Sequence, residues 1–316
     1  FLASQVYSDR VPVIRLFNTI DIGGEGGWDY LSIEPVSNRL FVSHSTRMIV
    51  IDLNNNSIVG EINNQHGVHG VAFAVEVNKG YITNGKDSSV TVFDLKSLRV
   101  IKSIKLDEKN PDAIFYEPIS KRIFTFNNHS ASSTAIDPTT DKIIATVKLD
   151  GDPEAPVSDS NGKIYVNLED KSAINVFDAK TLKINNYWSV APCESPSGLA
   201  IDRKNKRLFT VGRNNLMSIL NAESGKLITT VPIGNHVDGS VFDSETMLAF
   251  SSNGEGTITI IKEVSPNEFK VIDNVPTQKG ARTITLDEKT HRVYTSTKLT
   301  ANENSQSFGV IVVGKK

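Results

Sequence analysis

The chain repeats itself, and that constrains its fold more than any other property. "RLFVSH" (39–44) recurs as "GYITN" (80–84), "RIFTFN" (122–127), "KIYVNL" (163–168), "RLFTVG" (207–212), "LAFSSN" (248–253) and "RVYTST" (292–297). The aromatic of each copy falls at Phe41, Tyr81, Phe124, Tyr165, Phe209, Phe250 and Tyr294, at spacings of 40 to 44 residues. Seven copies at this period fill the chain. A period of this size is the signature of a repeat architecture, in which each unit stacks on its neighbours.

The copies share a grammar. A short alternating segment such as "YLSIE" or "TITLD" is followed by a polar turn and then by the aromatic-centred segment. A third segment often ends in Asp, as in "IVIDL", "VTVFDL", "STAIDP" and "INVFDA", and a fourth reads "SIVGEI" or "IIATVKL". Period-two alternation with β-branched and aromatic residues, cut by Asn, Asp, Gly and Lys turns, predicts strands. Long helical periodicity is absent. Four strands per unit predict an all-β fold: one seven-bladed β-propeller over residues 1–316, with four antiparallel strands per blade. The last copy stops after a third strand, "FGVIVVG" (308–314), while "VIRLFNTIDIGG" (13–24) resembles the fourth strand "KIIATVKLDG" (142–151). The N-terminal strand is therefore expected to complete the last blade and leave no bare edge there.

"GYITN", "IYVNL" and "RVYTST" resemble the YVTN repeat, and "SVTVFDLKSLRVIKSIKL" resembles its second half. The likeness to YVTN-repeat, YncE-like β-propellers covers nearly the whole chain. It bears on fold rather than function, because the motif residues build blades. It implies an exported protein, periplasmic or secreted. The chain begins at Phe1, and "FLAS" reads as the remnant of a signal-peptide end.

Composition narrows the function classes. Hydrophobic content of 39% and charged content of 22% predict a packed core. A net charge of −2 gives no bulk attraction to nucleic acid or anionic membrane. No run reaches the roughly 18 apolar residues that span a bilayer. The single cysteine, Cys193, excludes an intrachain disulfide and reads as a small half-buried residue.

In a propeller the first strand of each blade lines the central tunnel and starts at the top face. Aligning the repeats places Asp29, His69, Asp112, Glu154, Ser197, Asp238 and Arg282 at equivalent mouth positions. All seven are polar and six are ionisable. A wet tunnel mouth accounts for polar residues without any ligand. Four carboxylates on one narrow ring nevertheless repel each other unless a cation, Arg282 or a charged His69 offsets them. Trp28, beside the ring, is placed either to stack on a ligand or to pack.

His44, His66, His69, His129 and His236 also map to the top face, and His291 to the bottom. A top-face metal site drawn from His44, His66, His69 and His129, with Asp29 or Asp112, would suit zinc or another first-row divalent ion. Loop histidines that happen to face one way are the competing account. Bottom turns carry Arg39, Lys79, Lys121, Arg122, Lys163, Arg203, Lys204, Lys206, Arg207, Lys289 and Arg292, interleaved with Glu117, Asp202 and Asp287. Solvated turns explain them better than a nucleic-acid surface, since no set of stacking aromatics accompanies them. Asp52, Asp94, Asp137 and Asp178 are expected to cap turns. "TKLTANENSQS" (297–307) is expected as a top-face loop, either a lid or simply mobile.

Three functions compete. One is a non-catalytic binding or scaffold propeller holding a small molecule, peptide or metal at the top face. G-x-S-x-G and H-E-x-x-H are both missing, which favours it. The second is a metal-dependent, lactonase-like hydrolase using Glu154, Asp112, Asn127 and Asp238. The third is nucleic-acid binding through the basic face.

Overall fold

Each repeat folds as a four-stranded antiparallel sheet, and seven such sheets form a ring, in a computed structural model that describes residues 13–302 and 305–315. The "FLAS" segment lies outside the described residues. Blades one to six begin with Trp28–Glu34, Val68–Ala74, Pro111–Glu117, Pro153–Ser158, Pro196–Asp202 and Val237–Asp243, and blade seven with the short strand Thr285–Asp287. First strands of neighbouring blades touch around the ring, so they line the tunnel. The aromatic-centred segments are the second strands, and their aromatics are all buried, none more than 3% exposed.

The repeat stacks because the apolar residues of a blade are shared with the next one. Among the described residues there are seven hydrophobic clusters, each built from two adjacent blades. Phe41 of blade one meets Phe73 and Phe93 of blade two, and Phe209 stacks on Phe242 between blades five and six. No blade buries its own faces alone, which is why the ring must close.

Closure follows the sequence. Ile14–Asp21 pairs antiparallel with Ser305–Lys315, from Ile14 opposite Lys315 to Asp21 opposite Gly309, with one register slip between Leu16 and Asn18. The expected loop at 297–307 is mostly hairpin instead. Arg292–Asn302 and Ser305–Lys315 stay paired through Lys298 opposite Phe308 and Asn302 opposite Ser305. Alternation continues past the expected strand end, so backbone pairing continues too. The tip at 303–304 lies outside the described residues.

The bottom face is tied down by acids and cations. Asp52, Asp94, Asp137 and Asp178 accept hydrogen bonds from turn backbone N–H groups, as expected. A second series, at the ends of first strands, does the same: Glu34, Glu117, Asp202, Asp243 and Asp287, all buried. The basic residues reach sideways. Arg39 donates to the Leu95 carbonyl, Lys79 to Pro138, Arg122 to Ala179 and Arg207 to Pro266. Tyr165 plays this part in blade four, donating to the Ala222 carbonyl at 2.8 Å. Each bond straps the second strand of one blade to an outer turn of the next. Several of the residues read as solvated turn cations are thus inter-blade ties.

Candidate functional site

The mouth positions share one backbone device. In blades one to six the pairing of first and second strands slips by one residue just after the strand starts, between Trp28 and Leu31, Val68 and Val71, Pro111 and Ile114, Pro153 and Pro156, Pro196 and Gly198, and Val237 and Gly239. Such a bulge carries an extra residue and re-aims its side chain. Asp29, His69, Asp112, Glu154, Ser197 and Asp238 sit inside these slips. Arg282 precedes the shorter first strand of blade seven.

Polar residues on second strands hold this backbone in place. Ser43 Oγ accepts from the Asp29 N–H at 2.9 Å, and Thr83 Oγ1 donates to the Asp112 carbonyl at 2.6 Å. Asn167 Nδ2 donates to the Gly198 carbonyl at 3.0 Å, and Ser252 donates to the Arg282 carbonyl. Thr283, on blade seven, donates to the Asp29 carbonyl at 3.0 Å. The mouth is therefore built by neighbouring blades together.

Three mouth residues converge. His69 Nδ1 lies 2.5 Å from Asp29 Oδ2 and 3.4 Å from Asp112 Oδ1. These ligand-type atoms all lie within 4.8 Å of one another. Two donors on one first-row ion, each bound at about 2.1 Å, sit roughly 3 Å apart, so both observed spacings are close to what an ion needs. Asp112 Oδ1 is buried and accepts no hydrogen bond. Burial disfavours a charged His69, but the hydrogen bond to Asp29 and the charges of Asp112 and Asp29 outweigh it and raise its pKa.

The other carboxylates are offset in different ways. Asp112 is held well above the ordinary carboxylate range by burial and by the charge of Asp29, against the pull of His69. Burial raises Glu154 further, with the charges of Asp112 and Glu169 and a hydrogen bond to Glu169 adding to it. A proton on Glu154 is thus the cheapest counter-charge there. Burial also raises Asp238, while Arg282 opposes this from 3.7 Å. Arg213 pairs with Glu169 at 2.7 Å.

Other expected residues lie elsewhere. Ser197 is buried, and its hydroxyl donates to the Val237 carbonyl at 3.1 Å, a blade-to-blade bond. Trp28 packs on Phe308 with ring centroids 5.9 Å apart. His44 is buried and stacked on the same phenyl ring at 4.0 Å, and neither of its nitrogens has a hydrogen-bond partner. Burial and then Arg47 lower its pKa and keep it neutral. His66 is 3.9 Å from Asp87, with a largely exposed side chain, and His129 is exposed in a short 3-10 turn. Of the four histidines proposed as ligands, His69 alone belongs to a three-donor group among the described residues. Asn127 faces into blade three, where Thr125, Ser132 and Thr134 satisfy its amide.

Sequence reasoning missed Tyr30, Glu169 and Arg213. Tyr30 leaves blade one and packs against the cluster shared by blades three and four, so its ring spans the bore. Burial raises its pKa well above the ordinary value, and the nearby charges of Asp112, Glu154, Asp29 and Asp238 add to this. Tyr30 is the floor of the acidic mouth. A signal existed: the equivalent residues are Gly70, Ala113, Ala155, Gly198, Gly239 and Thr283, all small. At Gly198 the reason is visible, since a Cβ would lie 2.7 Å from the Gly239 backbone. Glu169 and Arg213 sit on second-to-third-strand connections, where no alignment of first strands points.

No protein-family model and no curated protein matches this chain. Among solved structures, that of U3-55K is similar with a TM-score of 0.80, over 95% of this chain and 98% of its own, at 8% identity. That likeness extends to the propeller fold.

Proposed function

We propose that this chain is a non-catalytic binding propeller that takes a polar ligand at the top mouth of its tunnel through a divalent cation on Asp29, His69 and Asp112. The observation that carries the reading is the convergence of those three donor atoms, with the orphaned Oδ1 of Asp112 among them. Three protein donors leave coordination positions for water or ligand. Tyr30 beneath them makes the site a dish rather than a passage. The hydrolase reading is less well supported, because Asn127 is engaged inside its blade. The nucleic-acid reading is weakened by the ties that Arg39, Lys79, Arg122 and Arg207 make to neighbouring blades.

The same proposal places the chain among the exported YVTN-repeat propellers. Support comes from the motif residues at work in the blades. Tyr81 binds the outer turn of the next blade, Thr83 the next mouth strand, and Asn84 the third strand of its own blade. No helix among the described residues is long and apolar enough to cross a membrane.

Calorimetric titration of metal-stripped protein with Mn²⁺ and Zn²⁺ tests the reading. One ion per chain is expected, with Asp29→Asn and Asp112→Asn each weakening binding about tenfold or more while the ring stays folded. Absence of binding, or unchanged affinity in both variants, contradicts it.

A further inference from the structure

Beside the acidic dish the mouth changes sign. A bay of about 410 Å³ is lined by Arg213, His236, Asp238, Lys279 and Arg282, together with Gly254, Gly280 and Val237. Arg213 comes from the second-to-third-strand connection of blade five, and Lys279 and Arg282 from the passage into blade seven. The Arg213 and Arg282 side chains are 59% and 50% exposed. Lys279 is exposed, and no carboxylate lies within ion-pair distance of it among the described residues. Asp238 is the one acid lining the bay, and burial raises its pKa.

The bay adjoins the candidate cation site. Arg282 precedes Thr283, whose hydroxyl holds the Asp29 carbonyl at 3.0 Å. Glu169 pairs with Arg213 at 2.7 Å and Asp238 faces Arg282 at 3.7 Å, whereas Lys279 has no such partner among the described residues. This excess of positive charge beside a cation site weakens its ion unless the bound ligand brings negative charge of its own. The volume falls within the range of small-molecule pockets and exceeds what a bare ion needs. Guanidinium groups suit planar or tetrahedral oxyanions, which accept several N–H bonds at once.

We infer that the Arg213–Lys279–Arg282 bay is an oxyanion subsite, and that the ligand at the mouth is a small organic anion whose carboxylate or phosphate group occupies it. The inference rests on the tunnel-mouth reading above and names its ligand class. Ligand charge then bridges the two halves: one acidic group on the bay, and further oxygens toward the ion on Asp29, His69 and Asp112.

Calorimetric titration of metal-stripped, dialysed protein with citrate and, separately, inorganic phosphate tests it at low ionic strength. Wild-type protein is expected to bind at least one of them at millimolar concentration or better, and the stronger anion identifies the group. Lys279→Gln and Arg282→Gln are each expected to weaken binding about tenfold, or about 1.4 kcal/mol, and Lys279→Gln, at an exposed side chain with no ion pair, to do so without shifting the melting temperature. Failure of wild-type protein to bind either anion overturns the inference, as does equal affinity in both variants. Mn²⁺ binding without anion binding removes the subsite and leaves the cation reading intact. Anion binding without Mn²⁺ binding does the reverse.

Discussion

At the scale of single residues, the mouth shows how a ring of acids is made tolerable. Asp29 leans on His69, Asp238 on Arg282 and Glu169 on Arg213, while burial and neighbouring carboxylates favour a proton on Glu154. Burial of like charges recurs at the bottom face, where Glu263 is 2% exposed and is pushed up to about 7 by burial and the charge of Asp202. Its folded pKa is above its unfolded value. The folded state therefore binds the extra proton, and stability falls as pH rises from the unfolded value through about 7. Glu263→Gln keeps an acceptor for Asn205 and supplies a donor toward Asp202, without the charge. It is expected to stabilise the protein at pH 8 by roughly 1–3 kcal/mol and to change little near pH 4. Urea unfolding at both pH values checks this, and equal stability of the two proteins at pH 8 contradicts it. The residue level was also the least legible in the sequence. Six of the seven mouth positions could be aligned on bulged strands because they share one register slip. Tyr30 escaped, because its side chain acts two blades away from where its backbone lies, and a single-repeat alignment carries no such distance.

At the scale of elements, strand order and the aromatic positions were readable because both follow from period-two burial. The ties between blades were not. Arg39, Lys79, Arg122 and Arg207 looked like ordinary turn cations, since the carbonyls they bind lie nearly sixty residues further along the chain. Glu117, Asp202 and Asp287, read as acids interleaved among solvated basic turns, prove to be buried turn caps. Arg122 places Nη1 at 2.8 and 2.9 Å from the Ala179 and Lys180 carbonyls. Arg122→Ala is expected to cost about 1–2 kcal/mol by loosening blade three from blade four. Denaturant unfolding measures the loss. A variant as stable as wild type would mean the tie is ornamental and would revive a solvent-facing role for the basic face.

At the scale of the whole molecule, closure joins the two ends of the repeat. Ile14–Asp21 supplies the outer strand of blade seven, and blade seven shares a cluster with blade one, where Asp29 sits. Deleting residues 1–21 is expected to expose the edge of Ser305–Lys315, lower the melting temperature and promote association. It should also weaken cation binding, because Thr283 of that blade holds the Asp29 carbonyl. Undiminished stability and binding after the deletion would show that the ring does not depend on this strand. The propeller itself was legible from the forty-residue period, and a fold match at 8% identity shows how little of the sequence beyond that pattern the ring requires. The ligand was not legible, because fold does not carry function and the mouth chemistry lies in side chains that the repeat leaves free to vary. The most direct measurement of the central claim is a crystal of this protein soaked in manganese and measured for anomalous scattering. The account predicts a peak about 2.1–2.3 Å from Asp29, His69 Nδ1 and Asp112 Oδ1. A mouth with no peak, or manganese bound only elsewhere on the protein, would contradict it.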